Sequence, residues 1–146
     1  RLAEAALKEL APFVRMGPPW TRRSALPGGD FGHDDFDACV AATQRRWPFL
    51  QSDHARRLFA AYGTRIERVL GEARDRAALG PEFGADLTAA EVRYLLRHEW
   101  AETADDVLWR RSKLGLRLSA AQADALARFM LDQKQAGTRS ESQRIP

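Results

Sequence analysis

The 146-residue chain lacks several features that would assign it to a familiar class of protein. Its single cysteine, Cys39, excludes an internal disulfide framework and fits a reducing compartment. No uncharged apolar run approaches the ~18 residues that a membrane-spanning helix needs, and no charged-then-apolar export leader is visible. No segment alternates apolar and polar residues at period two, so we expect no substantial strands. These absences predict a cytoplasmic, helical protein.

The sequence patterns of common catalytic and metal-binding sites are also missing. The glycines of PGGDFG (residues 27–32) do not form the G-x-G-x-x-G fingerprint of dinucleotide sites, and no strand is expected before them. His98 and Glu99 would begin a zinc-protease motif, but Glu102 stands where the second histidine is required. The His and Asp side chains of residues 33–37 have a sufficient explanation at a helix start, where the dipole favours carboxylates. We therefore predict no catalytic residue, no cofactor-binding residue and no metal ligand in this chain.

The composition is that of one globular domain. Hydrophobic residues make up 45% and charged residues 29% of the chain, which is long enough for a hydrophobic core. The net charge is only +3, because 23 cations are offset by 20 carboxylates. The densest basic patch, Trp109 to Lys113 followed by Arg117, could bind nucleic acid by stacking and phosphate contacts. A tryptophan on a short helix is more often a core residue, so nucleic acid is not the expected partner.

Apolar residues recur at helical spacing through most of the chain, which predicts an all-α fold with six to seven helices around one core. Between the first two helices, residues 16–33 form a Pro/Gly-rich connection, the strap, with Trp20 and Leu26 as its expected anchors. The first four predicted helices span residues 1–11, Asp34 or Asp35 to Arg46, Ser52 or Asp53 to Gly63, and Thr64 to Ala73. Three further helices are predicted to begin at Thr88, at Thr103 and at Ser119.

Two of these helices form the predicted centre of the domain. Thr88 followed by Glu91 is a capping-box pattern, in which the Glu91 carboxylate reaches back to the Thr88 amide. A second helix begins at Thr103, with Asp106 in its first turn, and Gly115 is expected to end it in a left-handed conformation. The stripe that the first of these helices would bury consists of Val92, Leu95, Leu96 and Glu99 or Trp100.

A pair of charged side chains is expected to join the two helices. Arg111 falls on the same face as the apolar residues of its helix, so its guanidinium must be paired, and Glu99 is the nearest carboxylate in register. We predict that Glu99 and Arg111 form this ion pair, that Arg110 lies at the rim and that Trp109 is buried. The structural candidates are thus Glu99, Trp100, Thr103, Asp106, Trp109, Arg110 and Arg111.

The same stretch carries a family resemblance. HEWAETADDVLWRRSKLGL (residues 98–116) resembles the C-terminal domain of the FAD-dependent, respiratory sn-glycerol-3-phosphate dehydrogenases and of the related glycerophosphate oxidases. The resemblance extends through TAAEVRYLLRHEW, RRWPFL, RLFAAYG and LPGG to RLAEAALKEL, and so covers roughly residues 1–131. The nucleotide-binding and substrate domains of that family are absent from this sequence.

The resemblance implies a helical cap, residues 1–136, that packs on the FAD and substrate domains of the same polypeptide, followed by a polar tail at 137–146. It implies that helix 1–11 is the end of an element of the catalytic body. The parent enzyme would oxidise sn-glycerol 3-phosphate to dihydroxyacetone phosphate, pass electrons through FAD to quinone and attach peripherally to the cytoplasmic membrane. No activity is expected of this chain alone. The alternatives are a stand-alone basic module that binds nucleic acid and a domain that mediates oligomer contacts.

Overall fold

The computed structural model describes residues 2–32 and 35–142, and for residues 137–142 it describes only the backbone. Within these residues the chain forms six α-helices and a π-helical turn, Asp106–Arg111, which confirms the all-α prediction. The extended pairing in the described residues is an isolated bridge between Glu82 and Thr88. The helices are α1 Leu2–Leu10, α2 Phe36–Arg46, α3 Ser52–Tyr62, α4 Ile66–Leu70, α5 Ala89–His98 and α6 Ala120–Ser142.

One hydrophobic core joins α2 to α6 and the segment between α5 and α6. Val92 and Leu95 of α5 and Leu126 and Met130 of α6 lie in it, as their helical spacing predicts. The tryptophan of this core is Trp47, which is 3% exposed and donates its indole N–H to the Gly71 carbonyl over 3.3 Å. A buried indole needs such a partner for its polar N–H group.

Two helix boundaries follow the sequence pattern closely. Ser119 and Gln122 cap the start of α6 reciprocally: the Gln122 amide donates to the Ser119 hydroxyl over 3.3 Å, and the Ser119 amide donates to the Gln122 side chain over 2.9 Å. Gly63 ends α3 with φ +53. At the start of α2, Asp35 makes no side-chain capping bond, and the predicted cap Asp34 lies outside the described residues, as does His33.

The strap is held at its second half and not at the predicted anchors. Trp20 is 69% exposed and Leu26 is 80% exposed, so the prediction that they fix the strap is wrong. The Gly28 carbonyl instead accepts a hydrogen bond from the Thr64 amide over 3.1 Å, and Phe31 packs on Phe59 with ring centroids 5.0 Å apart. The strap is therefore attached through its backbone at Gly28, where the absence of a side chain lets it approach the end of α3 closely.

Helix α1 forms as predicted but contributes nothing to the core. None of its residues is buried, and its apolar side chains Leu2, Leu7 and Leu10 are 87%, 48% and 50% exposed. The backbone of α6 runs from Ala120 to Ser142 and so continues into the segment 137–146 that the sequence predicts to be a polar tail. No described helix is long and apolar enough to cross a membrane.

Candidate functional site: exposed tryptophans and a buried ion pair

The capping box of the central stretch lies at Thr103 and Asp106. The Asp106 amide donates to the Thr103 hydroxyl over 3.2 Å, and the Asp106 carboxylate accepts from the Thr103 amide over 2.9 Å and from the Glu102 amide over 3.0 Å. Arg110 forms an ion pair with the same carboxylate. The Glu102 amide, followed by the Arg110 guanidinium and the Thr103 amide, lowers the pKa of Asp106. The Asp106 carboxylate thus joins the start of this turn, at Thr103, to its end, at Arg110.

A π-helical turn follows, where the sequence predicts an α-helix. Its bonds run from residue i to i+5, as in the Ser112 amide donating to the Val107 carbonyl over 3.0 Å. Val107 and Leu108 are buried as predicted. Because the wider turn holds an additional residue, the spacing of 3.6 residues per turn fails beyond it, and Arg111 is exposed instead of lying on the buried face.

Glu99 and Arg111 meet, but not as the predicted ion pair. The Arg111 Nε–H group donates to the Glu99 backbone carbonyl over 2.7 Å. The Glu99 carboxylate instead accepts from the Tyr94 hydroxyl over 3.3 Å and lies 3.8 Å from the Arg65 guanidinium. The prediction of a buried carboxylate–guanidinium clasp is wrong, since the exposed Arg111 serves to cap a free carbonyl at the end of α5.

Both tryptophans of the central stretch are exposed, which contradicts their predicted place in the core. Trp100 is 87% exposed and has φ +51, and Trp109 is 44% exposed. The left-handed residue that the sequence predicts at Gly115 is Lys113 instead, which has φ +60. Gly115 is required for a different reason: a Cβ atom there would lie 2.6 Å from the Trp109 ring.

Trp100, Trp109 and Leu116 are exposed apolar side chains of residues 100–116. Leu116 is 79% exposed and follows Gly115, against which the Trp109 ring packs. The Arg111 bond to the Glu99 carbonyl ties the residue before Trp100 to the same turn. The two tryptophans are the largest departure of the structure from the sequence prediction, because both were expected in the core and both face solvent.

Replacing Trp109 with alanine should destabilise the isolated domain by only about 1–2 kcal/mol, because a half-exposed ring loses far less burial than a core ring. The matched control is Trp47→Ala, which removes a buried indole and should cost roughly 3–5 kcal/mol. Urea unfolding of the two variants checks the difference. Equal losses would show that Trp109 is a core residue after all.

The most buried charge among the described residues is not one that the sequence pattern singles out. Glu91 is 0% exposed, and its carboxylate accepts from the Arg57 guanidinium over 2.8 and 2.7 Å and from the Tyr62 hydroxyl over 2.8 Å. Glu91 therefore does not reach back to Thr88, which makes no side-chain capping bond. The predicted capping box at Thr88 is wrong, because a bidentate guanidinium is a stronger partner for the carboxylate than a backbone amide. Burial and the adjacent Glu91 charge raise the pKa of Tyr62.

His54 lies beside this ion pair, fully buried, and neither ring nitrogen has a hydrogen-bond partner in the described residues. Burial, followed by the positive charge of Arg57, lowers the pKa of His54 below its ordinary value, although Asp86 and Glu91 oppose the shift. The neutral imidazole is thus the form that the folded domain accepts.

Acid should therefore destabilise the domain through His54. Because the folded-state pKa lies below the unfolded-state value of 6.5, the unfolded chain takes up the proton first, and stability is lost as pH falls below about 6.5. His54→Leu should flatten this pH dependence. Urea unfolding at several pH values checks it, and an equally steep loss in the variant would exclude His54 as the source.

The described residues contain no set of side chains that could perform catalysis by metal coordination. No group of three or more His, Cys, Asp or Glu within them is placed to hold a metal ion. Cys39 is a free, half-buried thiol packed against the core. The fold instead offers exposed apolar side chains, Trp100, Trp109 and Leu116, and a buried ion pair between Arg57 and Glu91.

Comparison with known proteins identifies the domain. The profile of the family described as the C-terminal domain of alpha-glycerophosphate oxidase matches residues 19–136. The chain belongs to this family. This confirms the resemblance drawn from residues 98–116.

Three longer proteins contain a region similar to this chain. The aerobic glycerol-3-phosphate dehydrogenase of Escherichia coli (strain K12) is 41% identical over 136 residues, which are 92% of this chain and 27% of that protein. The glycerol-3-phosphate dehydrogenase of Pseudomonas aeruginosa is 43% identical over 131 residues, 89% of this chain and 25% of that protein. The D-erythritol 1-phosphate dehydrogenase of Brucella abortus is 35% identical over 129 residues, 88% of this chain and 26% of that protein. The chain thus spans about a quarter of the length of these relatives.

Proposed function

We propose that this chain is the C-terminal helical domain of an FAD-dependent sn-glycerol-3-phosphate dehydrogenase and that it performs no catalysis by itself. The observation that carries the proposal is the family match over residues 19–136, together with relatives named as dehydrogenases of which the chain covers about a quarter. The parent polypeptide oxidises sn-glycerol 3-phosphate to dihydroxyacetone phosphate, and FAD accepts the hydride. The electrons pass to quinone at the cytoplasmic membrane, where the parent enzyme is peripherally bound.

The domain supports the catalytic body rather than selecting its substrate. Relatives named for glycerol 3-phosphate and for D-erythritol 1-phosphate both contain it, at 41% and 35% identity. A domain shared between two substrates is better suited to a common structural task than to substrate discrimination. The exposed apolar side chains of α1 and of residues 100–116 support that task, because isolated domains rarely leave so many large apolar side chains in water.

Nucleic-acid binding is not favoured by the basic patch. Arg110 is engaged by Asp106 and Arg111 by the Glu99 carbonyl, so both guanidinium groups already have partners within the domain. Salt-dependent DNA binding would be required to revive this alternative.

A chimera tests the proposed function. This chain replaces the corresponding C-terminal region of the 41%-identical Escherichia coli dehydrogenase, and dye reduction is measured with sn-glycerol 3-phosphate and with D-erythritol 1-phosphate. We expect the chimera to retain FAD and to oxidise glycerol 3-phosphate with the substrate preference of the Escherichia coli body. The control is the same body without any C-terminal domain. A chimera no more active than this control would refute the proposed function.

A further inference from the structure

A groove with a volume of about 680 Å³, the α5–α6 groove, lies between the C-terminal half of α5 and helix α6. Residues 100–102, which follow α5, also line it. The helices contribute Arg93, Leu96 and Arg97 from α5 and Gln133, Lys134 and Ala136 from α6. Sites for small organic molecules typically have volumes of about 300–1,000 Å³. The groove is thus large enough for such a ligand.

The lining of the α5–α6 groove carries a net positive charge. Arg93, Arg97 and Lys134 line it, and among the described lining residues only Glu102 carries a carboxylate. A pocket of similar volume beside the strap, about 650 Å³, is lined by two arginines and two carboxylates, so its charges balance. Because charges of one sign in a concave site concentrate counter-ions, the α5–α6 groove favours an anionic ligand.

Arg97 is the cation of this groove that is available to such an anion. Its side chain is exposed, and it makes no hydrogen bond or ion pair with a described residue. Arg93 lies one turn earlier on the same face of α5 and donates its Nε–H group to the Gln133 side chain over 3.1 Å, which joins α5 to α6. A guanidinium whose N–H groups are unoccupied can bind two oxygens of a phosphate group at once.

Trp100 adds an aromatic ring to the lining of the groove. Its side chain is 87% exposed, and its backbone has φ +51 at the end of α5, where the Ala101 amide donates to the Leu95 carbonyl over 3.2 Å. This left-handed position favours glycine, so a tryptophan there costs stability, and within the described residues its indole gains little burial in return. A ligand that stacks on the ring explains the tryptophan better than folding does.

We propose that the α5–α6 groove binds a nucleotide, whose phosphate groups contact Arg97 and whose planar base stacks on Trp100. Stacking on an aromatic side chain together with phosphate contacts to cations is the usual mode of binding a nucleotide without reading its base. A simple phosphate would engage the cations alone. The inference goes beyond the proposed function and does not depend on it, because both contacting side chains belong to this chain.

Calorimetric titration of the purified 146-residue chain with ADP tests the site. Two partial ligands are titrated in parallel: pyrophosphate, which lacks the base, and adenosine, which lacks the phosphates. We expect ADP to bind at least about tenfold more tightly than either, with an affinity that falls as the salt concentration rises. Pyrophosphate binding as tightly as ADP would overturn the assignment to a nucleotide, and absence of ADP binding would overturn the site.

The indole N–H signals of the four tryptophans locate the bound ADP in a proton–nitrogen NMR spectrum. The Trp100 signal, identified by its loss in Trp100→Phe, should shift as ADP is added. Trp109 is also exposed but does not line the groove, so its signal should stay in place and serves as the internal control. A shift of the Trp109 signal with the Trp100 signal unmoved would place the ligand elsewhere and overturn the proposal.

Three variants separate binding from folding. Since glycine suits φ +51, Trp100→Gly should melt at or above the temperature of the original chain and yet bind ADP about tenfold more weakly. Arg97→Ala should weaken both ADP and pyrophosphate about tenfold. The control Arg128→Ala removes an exposed cation of α6 that does not line the groove and should change neither affinity. Equal losses in the two arginine variants, or undiminished ADP binding by Trp100→Gly, would overturn the proposed site.

Discussion

Replacing Arg57 with alanine is expected to destabilise the domain by roughly 3–5 kcal/mol, more than the loss of any charged side chain on its surface. The substitution leaves Glu91, which is 0% exposed, without its bidentate partner at 2.8 and 2.7 Å. It also removes the guanidinium bond of 3.0 Å to the Asp86 carbonyl. A carboxylate that is buried and unpaired must take up a proton or draw water into the core.

The neighbouring Arg56 provides the matched control. It pairs with Asp37, but the two side chains are 58% and 82% exposed, and its stacking on Phe36 is partly solvated. Arg56→Ala should therefore cost about 1 kcal/mol or less. Urea unfolding of both variants measures the difference.

A second substitution identifies the source of the Arg57 effect. Adding Glu91→Gln to Arg57→Ala should recover part of the loss, because the stranded charge is gone while Tyr62 can still donate to the amide oxygen. Strictly additive losses in this cycle would mean that the two side chains do not act as a pair.

Gly63→Ala is expected to cost at least about 3 kcal/mol, the largest effect among the glycines. A Cβ atom at this position would lie 1.8 Å from the Gly28 carbonyl oxygen and 3.3 Å from the Phe31 ring. The strap would have to move off α3, breaking the bond from the Thr64 amide to Gly28. The expected loss thus combines backbone strain with the contacts of the strap.

Gly71 separates these two contributions. Its φ and ψ, 53 and −135, nearly equal those of Gly63, 53 and −134, but nothing lies within 4 Å of its ideal Cβ position. Gly71→Ala should therefore lose only about 1–2 kcal/mol from the backbone conformation. Thermal and urea unfolding measure both variants. Equal losses would show that the strap is not packed against Gly63.

The helices and their apolar faces could be predicted because they depend on local spacing. Ser119 precedes α6 by the expected capping pattern, and Val92 and Leu95 recur at the period of a helix that buries one side. Gly63 ends α3 because a position with φ +53 favours glycine. Each of these features requires information from within a few residues.

The buried ion pair could not be predicted, because its determinant is distant in sequence. The spacing from Thr88 to Glu91 is typical of a capping box, and only the fold reveals that Arg57, 34 residues earlier, takes the carboxylate. The π-helical turn likewise has no signature in a pattern counted at 3.6 residues per turn.

The exposed tryptophans were misplaced for a different reason. A sequence shows that Trp100 and Trp109 are apolar, but it does not show whether the surface that covers them belongs to this domain or to a partner. The pattern of a core residue and that of an interface residue are the same. Trp47, which is buried in the core, has no local feature that separates it from the other two.

A comparison of the purified 146-residue chain with the chimera, in flavin content and in activity, decides whether the domain only supports a catalytic body. We expect the chain alone to show no flavin absorption band and not to oxidise sn-glycerol 3-phosphate when FAD and an electron acceptor are added. We expect the chimera to show the flavin band and to oxidise the substrate. A stoichiometric flavin band or turnover from the chain alone would contradict the central claim that this domain only supports a catalytic body.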